Sequence, residues 1–354
     1  MARPAGAVRA APPDRRRLQA RRPPWVSLRR RFRSAGCGPA GWDWAPPVRR
    51  APASQRQRGA LSPGPSPPPL ATGRAIRRAA SAAPRAFCHT RSALGFSCLD
   101  NLVSAELLKI AESVAKAAGS HLMNRPATFT FTEKSSAVDF ATQMDQQAEA
   151  LIVKQILTLR PDDGIIAEEG AAKESKSGIT WVIDPLDGTV NYLYGLPGWN
   201  VSVAAKDKNG VVAGVVYAPS INGFWSATKG SGAFYNGEKI KCNEPVELNK
   251  ALLATGFAYD LNLRISQGDT MAKLLPRIRD LRRNGAAAVD LCYVAMGALD
   301  GYFEASLKEW DHAAGGLIAT EAGAVVSGPG GGAPSSELVV AAGPSLHAQL
   351  LPLI

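Results

Sequence analysis

The stretch "TWVIDPLDGTVNY", residues 180–192, joins the pattern of a buried strand to a turn that contains two aspartates. The apolar run Trp181-Val182-Ile183 ends at Asp184, and Asp187 follows three residues later. Aspartate, proline and glycine are common turn residues, so one interpretation is a tight turn at a sheet edge. Carboxylates just after a strand are also how α/β folds present groups to a ligand. The choice between these interpretations depends on the rest of the chain.

Further carboxylates stand at the ends of other predicted elements. They are Glu168 and Glu169 in "GIIAEEG", Asp311 in "EWDHAAGG", and Asp139 and Asp145 in "EKSSAVDFATQMDQ". A single carboxylate of this kind is usually solvated or caps a helix. The five cysteines are scattered without a CxxC pair, so neither a zinc site nor a disulfide framework is indicated. Because oxygen ligands select hard cations, the set predicts a Mg²⁺ or Mn²⁺ site.

The charge of the 354-residue chain is divided between a basic leader and an acidic body. Residues 1–95 contain 20 Arg, no Lys and two acidic residues, a net charge of +18. Residues 96–354 carry 21 Lys and Arg against 28 Asp and Glu, a net charge of −7. An acidic body disfavours a nucleic-acid partner, since proteins bind the phosphate backbone of nucleic acids with a basic surface. No run of about 18 apolar residues occurs, so no membrane span is expected.

The leader has the composition of a targeting segment. Residues 1–95 hold 15 of the 26 prolines and show no lasting apolar periodicity, which predicts disorder. An Arg-rich, acid-poor segment is typical of an organelle transit peptide, and the prolines disfavour a long amphipathic helix. We expect a chloroplast location (plastid stroma), with the mitochondrion as second choice. The alternative is a basic arm that stays attached and touches nucleic acid or membrane.

The body is predicted to consist of two α/β lobes. Apolar periodicity predicts helices over 102–122 and 145–159, followed by several strands with Asn-Gly turns. Strands and helices then alternate, including a helix over 267–281. Helices before a meander, followed by this alternation, indicate two lobes. The predicted domains are a disordered transit peptide over 1–95, an N-terminal α+β lobe with the metal site over 96–245, and a C-terminal α/β lobe completing the site over 246–354.

Six segments carry a resemblance to a known family: "EKSSAVDFATQMDQQAE", "IIAEEG", "WVIDPLDGTVNY", "GAFYNGEKI", "GAAAVDLCYVAMGALDGYFE" and "WDHAAG". In this order, over nearly all of 101–345, they resemble the inositol monophosphatases. The D-P-x-D-G-T and W-D-x-A-A-G signatures are highly specific in combination. With its leader and "LLATGFAY", the chain looks closest to plastid enzymes of plants and algae. The resemblance implies an α/β (α+β) fold, a layered α/β/α/β/α sandwich of the inositol monophosphatase / fructose bisphosphatase type, usually dimeric.

The resemblance also implies the metal ligands. Glu168, Asp184 and the Leu186 carbonyl match the ligands of a first Mg²⁺. Asp184, Asp187 and Asp311 match those of a second, and Glu168 helps to hold a third, looser ion. Two metals about 3.5–4 Å apart can activate a water and stabilise the leaving alkoxide. The family pattern therefore implies two or three Mg²⁺ per active site and sensitivity to Li⁺.

Catalytic and substrate-binding residues follow from the same match. Asp145 and Thr189 match the pair that orients and deprotonates the attacking water, and Glu168 is the third catalytic residue. The amides of Gly188 and Thr189 match the groups that hold phosphate oxygens. The implied substrate-binding positions are Leu186, Gly188, Thr189, Gly285, Ala286, Ala287, Glu304 and Asp311.

The predicted function is Mg²⁺-dependent hydrolysis of a phosphate monoester of a small polyol or sugar, with myo-inositol monophosphate as first choice. Histidinol phosphate and galactose 1-phosphate are alternative substrates. The expected assembly is a homodimer without nucleic acid or membrane. An alternative from another class is a non-catalytic regulatory or RNA-associated protein that keeps the fold.

Overall fold

The computed structural model describes residues 98–136 and 139–354, so the predicted leader, residues 1–95, lies outside the described residues. The described α-helices are α1 (Cys98–Met123), α2 (Gln143–Leu159), α3 (Thr189–Tyr194), α4 (Leu261–Leu274), α5 (Ala287–Ala295), α6 (Glu309–Glu321) and α7 (Pro344–Leu350). The described strands are β1 (Phe131–Ser136), β2 (Asp139–Thr142), β3 (Gly164–Ala167), β4 (Ala172–Lys173), β5 (Thr180–Asp187), β6 (Asn200–Asp207), β7 (Gly210–Ala218), β8 (Gly223–Thr228), β9 (Gly232–Tyr235), β10 (Glu238–Ile240), β11 (Leu252–Thr255), β12 (Asp280–Arg282), β13 (Gly301–Glu304), β14 (Val325–Ser327) and β15 (Val339–Ala342).

The larger sheet brings two carboxylate-bearing strand ends together. Its eight strands are ordered β10-β9-β8-β7-β6-β5-β3-β4. Strands β3 and β5 run parallel, and Ala167 pairs with Ile183. Because parallel strands end at the same edge of a sheet, Glu168 and Asp184, the next residues, become neighbours. The backbone N–H of Glu168 donates to the Ile183 carbonyl over 3.2 Å.

The second sheet and the helices complete five layers. The smaller sheet has five strands, in the order β12-β11-β13-β15-β14. Helices α1 and α2 pack on the outer face of the larger sheet, around a core that includes Ile152 and Trp181. Helices α5 and α6 lie between the sheets. Helices α4 and α7 contribute Leu274 and Leu346 to the outer face of the smaller sheet. The predicted α/β/α/β/α sandwich is confirmed.

One predicted helix is wrong. The helix predicted over 267–281 instead runs over Leu261–Leu274. The Asp260 carboxylate caps its start by accepting from the Leu263 N–H over 2.9 Å. Residues 280–282 form β12, which pairs in parallel with β11. Most side chains of α4 are exposed, so the apolar periodicity that locates a helix is weak there.

The chain passes from one sheet to the other between residues 240 and 252. The predicted domain boundary at 245 falls in this interval, and the division into domains stays a prediction. Within 98–136 and 139–354, no helix is both long and apolar enough to cross a membrane.

Candidate active site

A bulge at the end of β5 explains the three-residue spacing of its aspartates. Along a regular strand, residues three apart point to opposite faces. In the ladder with β6, Asp184 pairs with Ser202 and Asp187 with Asn200, so β5 carries one extra residue between the pairs. Such a bulge re-aims side chains, and both aspartates line the same cavity. The Leu186 N–H donates to Asp184 Oδ1 over 3.0 Å and holds the turn closed.

Gly188 lets two parts of the site approach closely. Its φ of +86° lies in the left-handed region, where residues with a side chain are strained. A Cβ there would lie 3.2 Å from the Gly285 carbonyl oxygen and 3.3 Å from the Ala286 Cβ. The start of α3 therefore contacts the turn before α5, which carries the predicted substrate positions.

The Asp187 carboxylate joins β5 to the start of α5. It accepts from Asn200 Nδ2 over 2.8 Å, from the Ala287 N–H over 3.3 Å and from the Ala288 N–H over 2.9 Å. Burial raises the pKa of Asp187 to about 7, although these hydrogen bonds favour the charged form. Negative charge at a helix N-terminus is favourable. Asp187 is thus a structural anchor as well as a predicted metal ligand.

The predicted catalytic pair is in hydrogen-bonding contact. Thr189 Oγ1 lies 2.9 Å from Asp145 Oδ1 and 3.1 Å from the Leu186 carbonyl oxygen. Its single proton can serve only one acceptor at a time. Asp145 Oδ2 accepts from the Thr142 N–H over 2.8 Å and from its hydroxyl, which caps α2. Burial raises the pKa of Asp145 from its ordinary value. Asp145 is therefore both a helix cap and the partner of Thr189.

Asp311 and Glu304 reach the site from the second half of the chain. Asp311 Oδ2 accepts from the Lys308 N–H over 2.6 Å at the start of α6. Glu304, the last residue of β13, accepts from the Tyr302 hydroxyl over 2.6 Å. A Cβ on Gly256 would lie 2.1 Å from the Glu304 carboxylate, so only glycine leaves room for it. Burial raises the pKa of both Asp311 and Glu304.

Glu168 is engaged by a lysine that sequence reasoning did not assign to the site. Lys134 Nζ lies 2.8 Å from Glu168 Oε1 and 2.7 Å from Glu169 Oε1. Burial lowers the pKa of Lys134, but the two glutamates outweigh this effect and raise it overall. Among the residues whose side chains the structure describes, no three carboxylate, imidazole or thiol groups are gathered closely enough to enclose a metal ion. If Glu168 binds a metal ion together with the other predicted ligands, its carboxylate must either bind the ion and the Lys134 ammonium at the same time or give up its contact with Lys134.

The donor chemistry of the site fits Mg²⁺. Asp184 is 2% exposed; its carboxylate accepts from the Leu186 N–H in its own turn and is in hydrogen-bonding contact with Glu168. Burial raises its pKa well above the ordinary value, and Glu168, Asp187 and Asp311 raise it further. A buried negative charge is costly unless it is paired or coordinates a metal. This concentration of carboxylate oxygens suits a hard divalent cation.

A cavity of about 660 Å³ collects the predicted residues. Its lining includes Glu168, Asp184, Leu186, Asp187, Gly188, Thr189, Gly285, Ala286, Ala287, Glu304 and Asp311. Asp145 is absent from the lining and reaches it only through Thr189. The lining also contains Lys134, Arg264 and Arg283, to which no function was assigned. Asn200 was missed as well, although its place opposite Asp187 in the ladder is a signal once the strands are paired.

Known proteins resemble the chain in sequence and structure. An "Inositol-1-monophosphatase" of Mycobacterium leprae is 41% identical over 271 residues, which cover 70% of this chain and 92% of that protein. A "Nus factor SuhB" of Haemophilus influenzae is 42% identical over 225 residues, covering 62% and 84%. The solved structure of the Thermotoga maritima IMPase gives a TM-score of 0.65 at 31% identity, covering 70% of this chain and 96% of that one.

These relatives are bacterial, and the expected closeness to plastid enzymes stays a prediction. The sequence pattern of the "Inositol monophosphatase family" matches residues 104–354, which include every predicted site residue. The chain belongs to the inositol monophosphatase family.

Proposed function

We propose that the protein hydrolyses a phosphate monoester of a small polyol or sugar with the help of Mg²⁺, and that myo-inositol monophosphate is the first substrate to test. The observation that carries this proposal is the buried Asp184 carboxylate, whose pKa is raised by burial and by three further carboxylates. Lys134 pairs with Glu168, and the group still concentrates four carboxylates beside one cavity, an arrangement typical of functional sites.

The proposed chemistry divides the residues into three tasks. Bound Mg²⁺ would lower the pKa of water and neutralise the charge that develops on the ester. Glu168, Asp184, Asp187, Asp311 and the Leu186 carbonyl would hold the ions. Thr189 would orient the attacking water, and Asp145 would take the proton through the 2.9 Å contact with Thr189 Oγ1. Glu304, which lines the same cavity, would bind substrate hydroxyls.

The chain from residue 96 should hydrolyse at least one ester in a panel of inositol, galactose 1- and histidinol phosphates, and chelation should abolish turnover. The metal requirement follows from the carboxylate set, which needs a counter-charge to approach a phosphate dianion. Undiminished turnover in chelator would rule out the metal mechanism. Insensitivity to millimolar-range Li⁺ would count only against the family-derived expectation of inhibition.

Glu304→Ala should raise KM for a polyol phosphate while leaving turnover of an aryl phosphate nearly unchanged. The carboxylate lies at the cavity wall and would accept hydrogen bonds from hydroxyls, which an aryl ester lacks. Loss of such a bond typically costs about 0.5–1.5 kcal/mol, and more when the acceptor is charged. Gly256→Ala should have the same effect by displacing Glu304. Equal KM changes for the polyol phosphate and the aryl phosphate would show that Glu304 does not hydrogen-bond to substrate hydroxyls.

A second candidate function is a non-enzymatic regulatory role. The observation that favours it is the 42% identity with a relative whose name designates a Nus factor. A protein that binds divalent metal but turns over no ester in the panel would support this candidate.

The oligomeric state, expected to be a homodimer, is measured by light scattering on the same preparation.

We propose further that residues 1–95 direct the protein to an organelle, with the plastid as first choice. The composition of the leader supports this, since its charge of +18 contrasts with −7 for the remainder. A fluorescent protein fused after residue 95 should enter the plastid. Cytosolic or nuclear fluorescence would contradict the proposal. Loss of activity in vitro after removal of 1–90 would show that the body needs the leader to fold or to act.

A further inference from the structure

A second buried carboxylate lies on α2, one helical turn after Asp145. Glu149 is 6% exposed, and residues four apart lie on the same face of a helix. The proposed chemistry gives it no task. A buried carboxylate is costly unless it is hydrogen-bonded, so its partners reveal what it does.

Both oxygens of Glu149 accept from one tight turn. Oε2 lies 2.7 Å from the Glu169 N–H, and Oε1 lies 2.9 Å from the Ala171 N–H. These amides flank Gly170, whose φ is +111°. The Ala167 N–H closes the turn by donating to the Ala171 carbonyl over 3.1 Å. Glu149 therefore satisfies two amides that point away from the sheet ladder.

This turn carries Glu168. The Glu168 N–H donates to the carbonyl of Ile183, the residue before Asp184, and the Glu169 N–H donates to Glu149. The backbone at Glu168 is thus held by β5 on one side and by α2 on the other, and this fixes the direction of the Glu168 side chain. Because Asp145 lies on the same helix face, α2 fixes Glu168 relative to the Asp145–Thr189 pair.

We propose that Glu149 is a positioning residue that holds Glu168 in place to bind metal. This inference rests on the proposed function, in which Glu168 is a Mg²⁺ ligand. Glu149 does not line the cavity and so acts only through the turn. Partners that orient a ligand typically change metal affinity by about 10–100-fold when mutated.

Glu149→Gln tests the inference. The amide keeps one acceptor oxygen but sets an NH₂ group against a backbone N–H, so the turn has to shift. The Mg²⁺ concentration for half-maximal activity should rise by about tenfold or more, with kcat at saturating Mg²⁺ nearly retained. Mn²⁺ affinity, measured by calorimetry without substrate, should fall by a similar factor. Glu149→Asp keeps the charge and should give a smaller loss.

Glu321 provides the matched control. Its oxygens accept from the Gly230 and Gly232 N–H groups over 2.7 and 2.8 Å, the same pairing on a turn without a site residue. Glu321→Gln should leave Mg²⁺ demand and Mn²⁺ affinity unchanged. Equal metal affinity in Glu149→Gln and wild type, or equal losses in Glu149→Gln and Glu321→Gln, would overturn the inference.

Failure of the inference and failure of the proposed function give different results. A wild type that hydrolyses no ester but binds Mn²⁺ contradicts the function, and calorimetry then still decides the role of Glu149. If Glu149→Gln does not fold, the comparison of Glu149→Asp with wild type decides it. A wild type that binds no Mn²⁺ overturns both.

Discussion

Asp184→Asn should abolish most activity and, in chelator, make the protein more resistant to heat. Asp184 is the one predicted ligand shared by both metals, and bound metals supply several kcal/mol of transition-state stabilisation. Since each 1.36 kcal/mol is a factor of ten in rate, we expect kcat to fall by about 10³-fold or more. The asparagine oxygen can still accept from the Leu186 N–H, so the turn survives.

The expected stabilisation follows from the charge of the metal-free site. Burial, with Glu168, Asp187 and Asp311 nearby, raises the pKa of Asp184 above its value in the unfolded chain. Ionised Asp184 therefore opposes folding, and the stability of the metal-free protein declines as pH rises from the ordinary pKa towards the raised one. Asp184→Asn removes this decline. Tm in chelator should exceed that of wild type at pH 8, and the difference should shrink towards acidic pH.

Asp163→Asn is the matched control for both effects. Asp163 is also buried, but it accepts from Arg160 Nε and Trp181 Nε1, each over 2.9 Å, and from Ser177 Oγ over 2.6 Å. Breaking a buried ion pair typically costs about 3–5 kcal/mol of stability. Asp163→Asn should therefore lower Tm while leaving kcat nearly unchanged. If Asp184→Asn keeps wild-type turnover, Asp184 is not a metal ligand, and if it lowers Tm in chelator, the Asp184 charge does not oppose folding of the metal-free protein.

The site residues of β5 and α6 were predictable because their signals are local. In the family pattern, the two aspartates of "DPLDGT" and the aspartate of "WDHAAG" stand at fixed positions within short motifs. The resemblance therefore assigns them to numbered residues of this chain directly. Their dual use could not be predicted. The Asp187 carboxylate binds amides of Ala287 and Ala288, which are 100 and 101 residues away in the chain. A helix-cap interpretation and a ligand interpretation of an aspartate are therefore compatible in this fold.

Two other features depend on distant partners and left no trace in periodicity. Glu149 has the pattern of an exposed helix residue, and only the turn 20 and 22 residues later explains its burial. Strand β12 is three residues long and exists because β11 supplies a parallel partner. Short strands of this kind have little intrinsic preference, since pairing and packing decide β-structure.

Asp145→Asn should reduce kcat by about 10²–10⁴-fold, the usual contribution of a general base. The Mg²⁺ demand should stay nearly constant, because Asp145 lies behind Thr189 and does not line the cavity. The asparagine oxygen can replace Asp145 Oδ2 as acceptor from the Thr142 N–H, so the start of α2 is kept. A variant that needs much more Mg²⁺ would instead place Asp145 among the metal ligands.

A double-mutant cycle separates catalysis through the pair from two independent effects. Thr189→Val removes the hydroxyl but keeps the shape of the side chain, and it should lose a similar factor in kcat. If Asp145 acts only through the 2.9 Å contact with Thr189 Oγ1, the double variant should be no slower than the slower single variant. Multiplied losses would show that Asp145 and Thr189 contribute separately. Since Thr189 can also donate to the Leu186 carbonyl, that result would assign the hydroxyl to the metal-ligand turn and give Asp145 a catalytic effect that does not pass through Thr189.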